Sequence, residues 1–470
     1  MKICIVAEGC YPYIVGGVSG WINSLIKSFP DIEFIVLAIV ANRSIRGKFV
    51  YELPDNLTEV HEVYLDDIDW GSKKKNRHTT RLSKKEYNAL RSLVLSQDIE
   101  WDDIFRLFRK KRLSINELLM GPDFLAIAEE CYKLKYPNIV FSDFLWTLRS
   151  IYMPMFFVLT TPVPKADLYH CVATGYAGIL GSMAKYYHNC NLLVSEHGIY
   201  TREREEEIIK AKWVQGIYKN IWIDQFKKMS SLVYEKADIV TSLYANAREL
   251  QIELGCSPAK IRVTPNGIDA QALSNIQGKL PEDEGFINIG AILRVTPIKD
   301  VKTMIQAFAF AKREVPKLKL WIMGPVDEDK EYAEECFALI EQLKISDVIF
   351  TGIINIKDYL GRMDYTILTS ISEGQPLTIL ESFAVKKPVI ATDVGNCREL
   401  IYGIDDDFGS AGIVTHIMNL EEISCAIIEL AMKPSRRNKM GENGYARLMK
   451  YYRLDHMKEV YRKLYASFDK

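Results

Sequence analysis

The sequence predicts an α/β protein built from two doubly wound parallel-sheet domains. Three observations carry that expectation. The chain opens with an apolar run, KICIVA at 2–7, then a glycine-containing turn, GCYPYIVGGVS, a helix-periodic stretch from Ser19 to Phe29, and a second apolar run, FIVLAIVA at 34–41. Strand, glycine loop, helix and strand form a βαβ opening whose unbroken apolar runs suit strands buried on both faces. In the second half, FINIGAIL, LKLWIMG, DVIFTG, YTILTS and KPVIAT are short apolar runs, each followed by a helix-like segment. Between the halves lies a polar Gly/Pro-containing stretch, Gln277 to Gly285, the expected linker.

From Asn42 to Leu145 the alternation gives way to polar, charged sequence, read as an insertion with helices around 85–96, 103–119 and 123–135. Alternation resumes with ADLYHCVA, GYAGILGSMAKYY and NLLVSEHG, then a long helical region at 203–235, ADIVTS, a helix near 244–254 and KIRVTPNGID. The expected domains are 1–276, with the insertion at 42–145, and 277–435, facing each other across a cleft. Apolar residues at helical spacing between 436 and 470 (Leu448, Tyr452, Met457, Tyr461, Leu464) predict a last helix crossing back to the first domain.

Composition narrows the function classes. In 470 residues, 60 Lys+Arg against 61 Asp+Glu leave a net charge of −1, which gives no pull toward nucleic acid. The longest apolar stretch, Phe34 to Ala41, is far short of the ~20 residues that cross a bilayer. Ile3 to Ala7 is too short for a signal-peptide core, so a cytoplasmic location is expected. Nine cysteines without a C-x-x-C pair, and seven histidines without H-x-x-x-H spacing, predict reduced thiols and no metal. Asp67-x-Asp69 and Asp405 to Asp407 imitate a D-x-D metal motif but read as solvated loop acids.

The sharpest candidate site is SEGQP, 372–376, between the strand YTILTS and the helix-like LTILESFAV. Pro376 suits the first turn of that helix, and the amides from Gly374 through Gln375 and Leu377 to Thr378 could hold a phosphate. Glu373 precedes the helix and Glu381 lies inside it; both could accept ligand hydroxyls, although each alone also reads as an ordinary helix glutamate. RVTPIKD follows the strand FINIGAIL, and its Arg294 and Lys299 suit a pyrophosphate. In the first half, Gly16-Gly17 lets backbone approach a phosphate or sugar, while the absence of G-x-G-x-x-G argues against a nicotinamide cofactor. His170 and His197 end adjacent strands, so at least one is expected to face a ligand.

With GGVS, NGID at 266–269, RVTPIKD, EGQPLTILE and KPVIATDVG in this order, the chain resembles the family 4 retaining glycosyltransferases of the GT-B fold. TGYAG at 174–178, EHGIYTRERE at 196–205 and ISEGQP are similar to one bacterial subgroup, the PelF type of exopolysaccharide synthase. The resemblance implies that the second domain binds a nucleotide-sugar donor, UDP-glucose or a UDP-N-acetylhexosamine. Arg294 and Lys299 match the donor-phosphate cations, Glu373 the residue at the donor sugar, Glu381 the ribose-holding residue, and Gly17 the diphosphate-loop glycine. His197 matches the histidine near the transferred sugar, and His170 is an acceptor-side candidate. Lys386-Lys387 and Asn396 stand where the family pattern has small residues or glycine.

The resemblance further implies transfer with retention and without a protein nucleophile, cofactor or metal, onto a growing extracellular polysaccharide. It also implies a place beside inner-membrane synthase and export subunits, peripheral to that membrane. The basic run Lys73 to Lys85 is where such contact would be sought, although a solvated face is its stronger reading. A UDP-sugar epimerase on the same fold and a non-catalytic protein that senses nucleotide sugar within a larger assembly are the competing readings.

Overall fold

The computed structural model describes residues 1–68, 81–110, 114–273 and 276–469; the basic run from Lys73 to Thr80 and Asp69 lie outside the described residues. The chain divides into two compact units, one of Met1–Val263 with Leu464–Lys470, the other of Thr264–Lys463. The division falls ahead of the Gln277–Gly285 stretch, and only the end of the final segment groups with the first unit.

The first unit holds β1 (Lys2–Glu8), β2 (Glu33–Val40), β3 (Leu57–Tyr64), β4 (Leu168–Cys171), β5 (Asn191–Ser195), β6 (Ile239–Ser242) and β7 (Ile261–Val263). They pair in the order β3-β2-β1-β4-β5-β6-β7, parallel throughout. β1 and β2 are buried along nearly their whole length, which is why they read as unbroken apolar runs. β3 lies in the stretch read as a helical insertion, ahead of the expected helices, and was not expected as a strand. Its sequence, LTEVHEVY, carries charges because it is an edge strand with a partly exposed face.

The rest of the insertion is helical over Lys84–Leu95, Trp101–Lys110, Ile115–Leu119 and Pro122–Lys135, followed by Phe141–Thr160. Ser83 and Glu86 form a capping box that starts the first of these. Phe105, Phe124, Phe144, Tyr152 and Phe156 from these helices join the same buried core as Tyr169 and Met183 beside the sheet. The long helical region expected at 203–235 consists of two helices, Tyr200–Lys210 and Ile217–Lys236, separated at Gly216, whose φ of 55° favours glycine.

The second unit holds β8 (Ile287–Ile292), β9 (Leu318–Met323), β10 (Val348–Gly352), β11 (Tyr365–Leu368), β12 (Val389–Thr392) and β13 (Gly412–Thr415). Their order is β10-β9-β8-β11-β12-β13, again parallel. Counted from β8 this is 3-2-1-4-5-6, so the strand order reverses between β8 and β11. Ligands of open α/β sheets bind at such a switch point, outside the carboxyl ends of the strands.

The final segment is two helices, Pro434–Tyr451 and Leu454–Phe468, where one was expected. The break is specified by the backbone of Ile268, which accepts from Leu454 N–H and donates to the Tyr452 carbonyl. Gly267 is required beside it, since a Cβ there would meet the Arg453 carbonyl oxygen at 2.4 Å.

Asp406 corrects the reading of Asp405 to Asp407 as solvated. Its side chain is buried and paired with the equally buried Arg447, through Nε at 2.7 Å and Nη2 at 2.8 Å. Arg447 also donates to the carbonyls of Leu400, Ile401 and Gly409, so each of its nitrogens has a partner.

Candidate functional site

Three loops leave the carboxyl ends of β8, β11 and β12, which are neighbours in the second sheet. The loop after β8 carries Arg294 and Lys299, and the loop after β11 leads into the helix Leu377–Ala384. Local bonds fix their mutual placement. The Thr369 hydroxyl lies 3.0 Å from the carbonyls of both Lys299 and Asp300, and Ile371 N–H donates to the Ile298 carbonyl at 2.9 Å. The Thr392 hydroxyl donates to the Ser370 carbonyl at 2.6 Å, and Asn396 N–H to the Gly374 carbonyl at 2.9 Å. Gly395, with a φ of 51°, allows that approach: a Cβ there would meet the carbonyl oxygens of Glu373 and Gly374 at 2.2 and 2.4 Å. Asn396, where the family pattern has glycine, is buried, and its Oδ1 has no partner.

Within this frame Lys299 Nζ lies 2.5 Å from Glu373 Oε1, and the Ser370 hydroxyl donates to the same oxygen at 2.5 Å. Arg294 is half exposed and pairs instead with Glu328, on the loop after β9, at 2.5 Å. The two cations expected together therefore each hold a different carboxylate. Beside them, the hydroxyl of Thr296 and Oδ2 of Asp300 are buried without a hydrogen-bond partner.

Pro376 occupies the N-cap rather than the first turn, with φ −71° and ψ 113°. Leu377 and Thr378 open the helix, where N–H groups have no intrahelical acceptor. Glu381 follows Thr378 by three residues and so shares its face, opposite the buried Ile379, Leu380 and Phe383. It has no hydrogen-bond or ion-pair partner among the described residues, and burial alone pushes its carboxyl up to about 7. The expectation for Gln375 concerned its backbone amide; its side chain has a structural partner. Its Oε1 accepts from Asn266 N–H at 2.7 Å and its Nε2 donates to the Asn266 carbonyl at 3.4 Å, so NGID and EGQP are tied together by one side chain.

In the first unit Gly17 begins the helix Gly17–Lys27 with Gly16 as its N-cap. Gly16 has extended backbone, and a Cβ on either glycine would meet nothing within 4 Å. Neither backbone strain nor packing demands glycine at these two positions. His197 packs edge-on against Trp21 at 4.3 Å between ring centroids. Its Nε2 is buried without a partner, and burial pushes the imidazole down to about 4, so it is neutral at neutral pH. His170 does not match the acceptor-side expectation. It is fully buried, with Nδ1 2.9 Å from the Tyr465 hydroxyl and Nε2 2.7 Å from the Ser195 hydroxyl.

Two carboxylates at strand ends, the buried Glu196 and the half-buried Glu8, escaped the sequence reading. Glu196, directly before His197, accepts from Tyr234 at 2.6 Å, Gln251 at 2.9 Å, Thr174 at 3.0 Å and the Tyr200 N–H. Glu8, which ends β1, accepts from Ala177 N–H at 3.1 Å and Tyr200 at 3.2 Å. Burial raises both carboxyls against those donors. The available signal was a carboxylate ending an apolar strand run, together with TGYAG, whose Thr174 and Gly175 pack onto these groups.

Among the described residues no cluster of His, Cys, Asp and Glu is arranged to hold a metal ion, and no helix is long and apolar enough to cross a membrane.

Residues 1–259 match the family described as Domain of unknown function (DUF3492), and residues 274–447 match Glycosyl transferases group 1. The chain is 24% identical over 271 residues to the MMP alpha-(1->4)-mannosyltransferase of Mycolicibacterium hassiacum, 56% of this chain and 61% of that one. With the D-inositol 3-phosphate glycosyltransferase of Kineococcus radiotolerans it shares 27% identity, over 44% of this chain and 52% of the relative. The matched part thus spans between about half and three-fifths of these curated relatives. Among solved structures, Anabaena HepE in complex with UDP and glucose matches 99% of this chain and 100% of that one, with a TM-score of 0.63 and 15% identity. That likeness establishes the GT-B fold. By the match over residues 1–259 the chain belongs to the family described as Domain of unknown function (DUF3492), and its second unit, which carries the Lys299–Glu373 site, matches Glycosyl transferases group 1.

Proposed function

We propose that this chain is a retaining, metal-independent glycosyltransferase that moves a sugar from a UDP-sugar onto a growing extracellular polysaccharide of the Pel type. The observation that carries the reading is the Lys299–Glu373 pair, set beside the start of the helix Leu377–Ala384 at the switch point of the second sheet. HepE, of the same fold, was crystallised with UDP and glucose, which favours a uridine donor here.

In this reading the donor diphosphate draws Lys299 from Glu373 and Arg294 from Glu328, and the N–H groups of Leu377 and Thr378 face the same anion. These donors stabilise the charge that develops as the anomeric carbon–oxygen bond to the diphosphate breaks. The acceptor hydroxyl forms the new bond on the same face, and its proton passes to the departing diphosphate. Glu373, released from Lys299, accepts from sugar hydroxyls, and Glu381 accepts from the ribose. Neutral His197 offers its unpartnered nitrogen to the transferred sugar. We further propose that the polysaccharide acceptor is delivered by inner-membrane synthase and export subunits, with this chain peripheral to that membrane.

The test is calorimetric titration with UDP, GDP, ADP and NAD, repeated with Arg294→Ala and Glu381→Ala and with EDTA present. UDP binding that resists EDTA and weakens in both variants supports the reading; so does an axial product from an axial donor, read by NMR. Binding of NAD alone, or UDP binding indifferent to both substitutions, overturns it.

A further inference from the structure

We propose a second ligand site in the first unit: a pocket near the amino ends of β4 and β5 that binds a phosphate group, free or as a phosphomonoester, through Arg109 and His188. The proposal does not rest on the donor-site reading.

The pocket encloses about 260 Å³ among the ends of the helices Trp101–Lys110, Phe141–Thr160 and Tyr176–His188. Phe108, Leu159 and Met183 give it an apolar lining. Its volume lies just below the ~300 Å³ at which pockets for drug-sized ligands begin, a size suited to a small polar molecule.

The polar side of the pocket is preformed. The guanidinium of Arg109 rests 4.0 Å from the centroid of the Tyr187 ring, and that ring is anchored by its hydroxyl to the Phe105 carbonyl. Arg109 has no carboxylate or carbonyl partner among the described residues, so its donors remain for a ligand. Nε2 of His188 is buried and has no hydrogen-bond partner. A buried orphan nitrogen keeps its desolvation cost, which a ligand donor or acceptor would recover. Burial, Arg109 and Lys165 together hold the His188 imidazole below its usual range against the backbone of Val163, which pulls the other way, and no carboxylate acts on it. An entering phosphate would reverse that balance by supplying the missing negative charge.

Cations also settle at the last turns of helices to offset the helix dipole. That accounts for the positions of Arg109 and His188 in the chain. It accounts neither for the volume between them nor for the orphan nitrogen.

Topology separates this pocket from the candidate catalytic groups. Val163 and Lys165 lead into β4, and His188 leads into β5, so the pocket lies where these strands begin. Glu8, Glu196 and His197 lie where strands end, the side on which α/β ligands bind. A phosphate bound here would act as an effector rather than a substrate.

The full-length chain is titrated calorimetrically with inorganic phosphate and, separately, with glucose 6-phosphate, while NMR follows the His188 imidazole. The expected result is saturable binding of at least one probe, weakened about tenfold or more in Arg109→Gln, the loss of one charge-assisted hydrogen bond. Arg109 is exposed, so this variant keeps its melting temperature and its UDP affinity. Saturation also raises the His188 pKa. Equal affinity for both probes assigns the site to phosphate itself, and tighter binding of the sugar phosphate assigns it to a phosphomonoester. Absence of saturable binding, binding that survives both Arg109→Gln and His188→Gln, or binding lost in Arg294→Ala overturns the proposal.

Discussion

Lys299 and Glu373 come from loops 74 residues apart in the chain, yet their charged atoms meet at 2.5 Å with both side chains more than four-fifths buried. A pair this shielded is strongly destabilised when one member is removed, by up to about 3 to 5 kcal/mol when burial is complete. Its place at the strand ends gives each member something to exchange its partner for.

The two halves of the pair should separate in kinetics. Lys299→Met is expected to weaken UDP binding by about ten- to a hundredfold, the value of a charge-assisted contact with phosphate. Glu373→Gln keeps the shape and is expected to lower sugar transfer by about a hundredfold with UDP affinity nearly unchanged. Parallel calorimetry and turnover measurements check this. Equal losses of UDP affinity and transfer in Glu373→Gln would remove the sugar-contact role.

Glu381 makes a pH prediction whose sign is fixed by burial. Its carboxyl is pushed up to about 7 in the folded chain, against the ordinary value of 4.5. The folded state therefore binds more protons between those values, so this group's contribution is full below pH 4.5 and is lost as the pH rises through about 7. The loss amounts to at most about 3 kcal/mol. Glu381→Gln should flatten that part of the stability–pH curve, measured by urea denaturation. An unchanged slope would mean that the carboxyl is solvated.

Strands buried on both faces were legible because burial leaves its mark in each residue: β1 and β2 have almost no polar side to show. β3 was not, since Glu59, His61 and Glu62 on an edge strand look like loop sequence. The helix Phe141–Thr160 hid behind its internal Pro154 and an apolar surface without clear sidedness. The candidate site was legible where a short local motif carries each part, as with Glu373 before the helix Leu377–Ala384 and Lys299 in the loop after β8. It was illegible where a side chain is claimed by a distant partner. Gln375 is held by Asn266, 109 residues away, and His170 by Tyr465, 295 residues away. Neither neighbour leaves a trace in the local pattern.

The two histidines should therefore part company under substitution. His170→Gln disturbs a buried hydrogen-bonded contact with Ser195 and Tyr465 and is expected to cost about 1 to 3 kcal/mol of stability, with transfer by the folded fraction preserved. His197→Ala is expected to lower transfer with a smaller change in stability, since its Nε2 has no protein partner to lose. Thermal denaturation and turnover on the same preparations decide it. Loss of transfer in folded His170→Gln would restore that residue to the site.

Arg447 and Asp406 offer the sharpest test of fold energetics away from the chemistry. Both side chains are about 1% exposed, and Asp406 accepts from two guanidinium nitrogens in fork geometry. Asp406→Asn leaves a buried guanidinium with its carbonyl partners but no counter-charge, an expected loss of about 3 to 5 kcal/mol. The same pairing holds the Asp406 carboxyl below its ordinary value of 3.8. Its contribution is therefore full above that value and is lost as the pH falls through the lowered one. Urea denaturation at neutral pH and in acid should show wild type and Asp406→Asn converging as the carboxyl protonates. Equal stabilities at neutral pH would show that the carbonyls of Leu400, Ile401 and Gly409 alone suffice to hold Arg447.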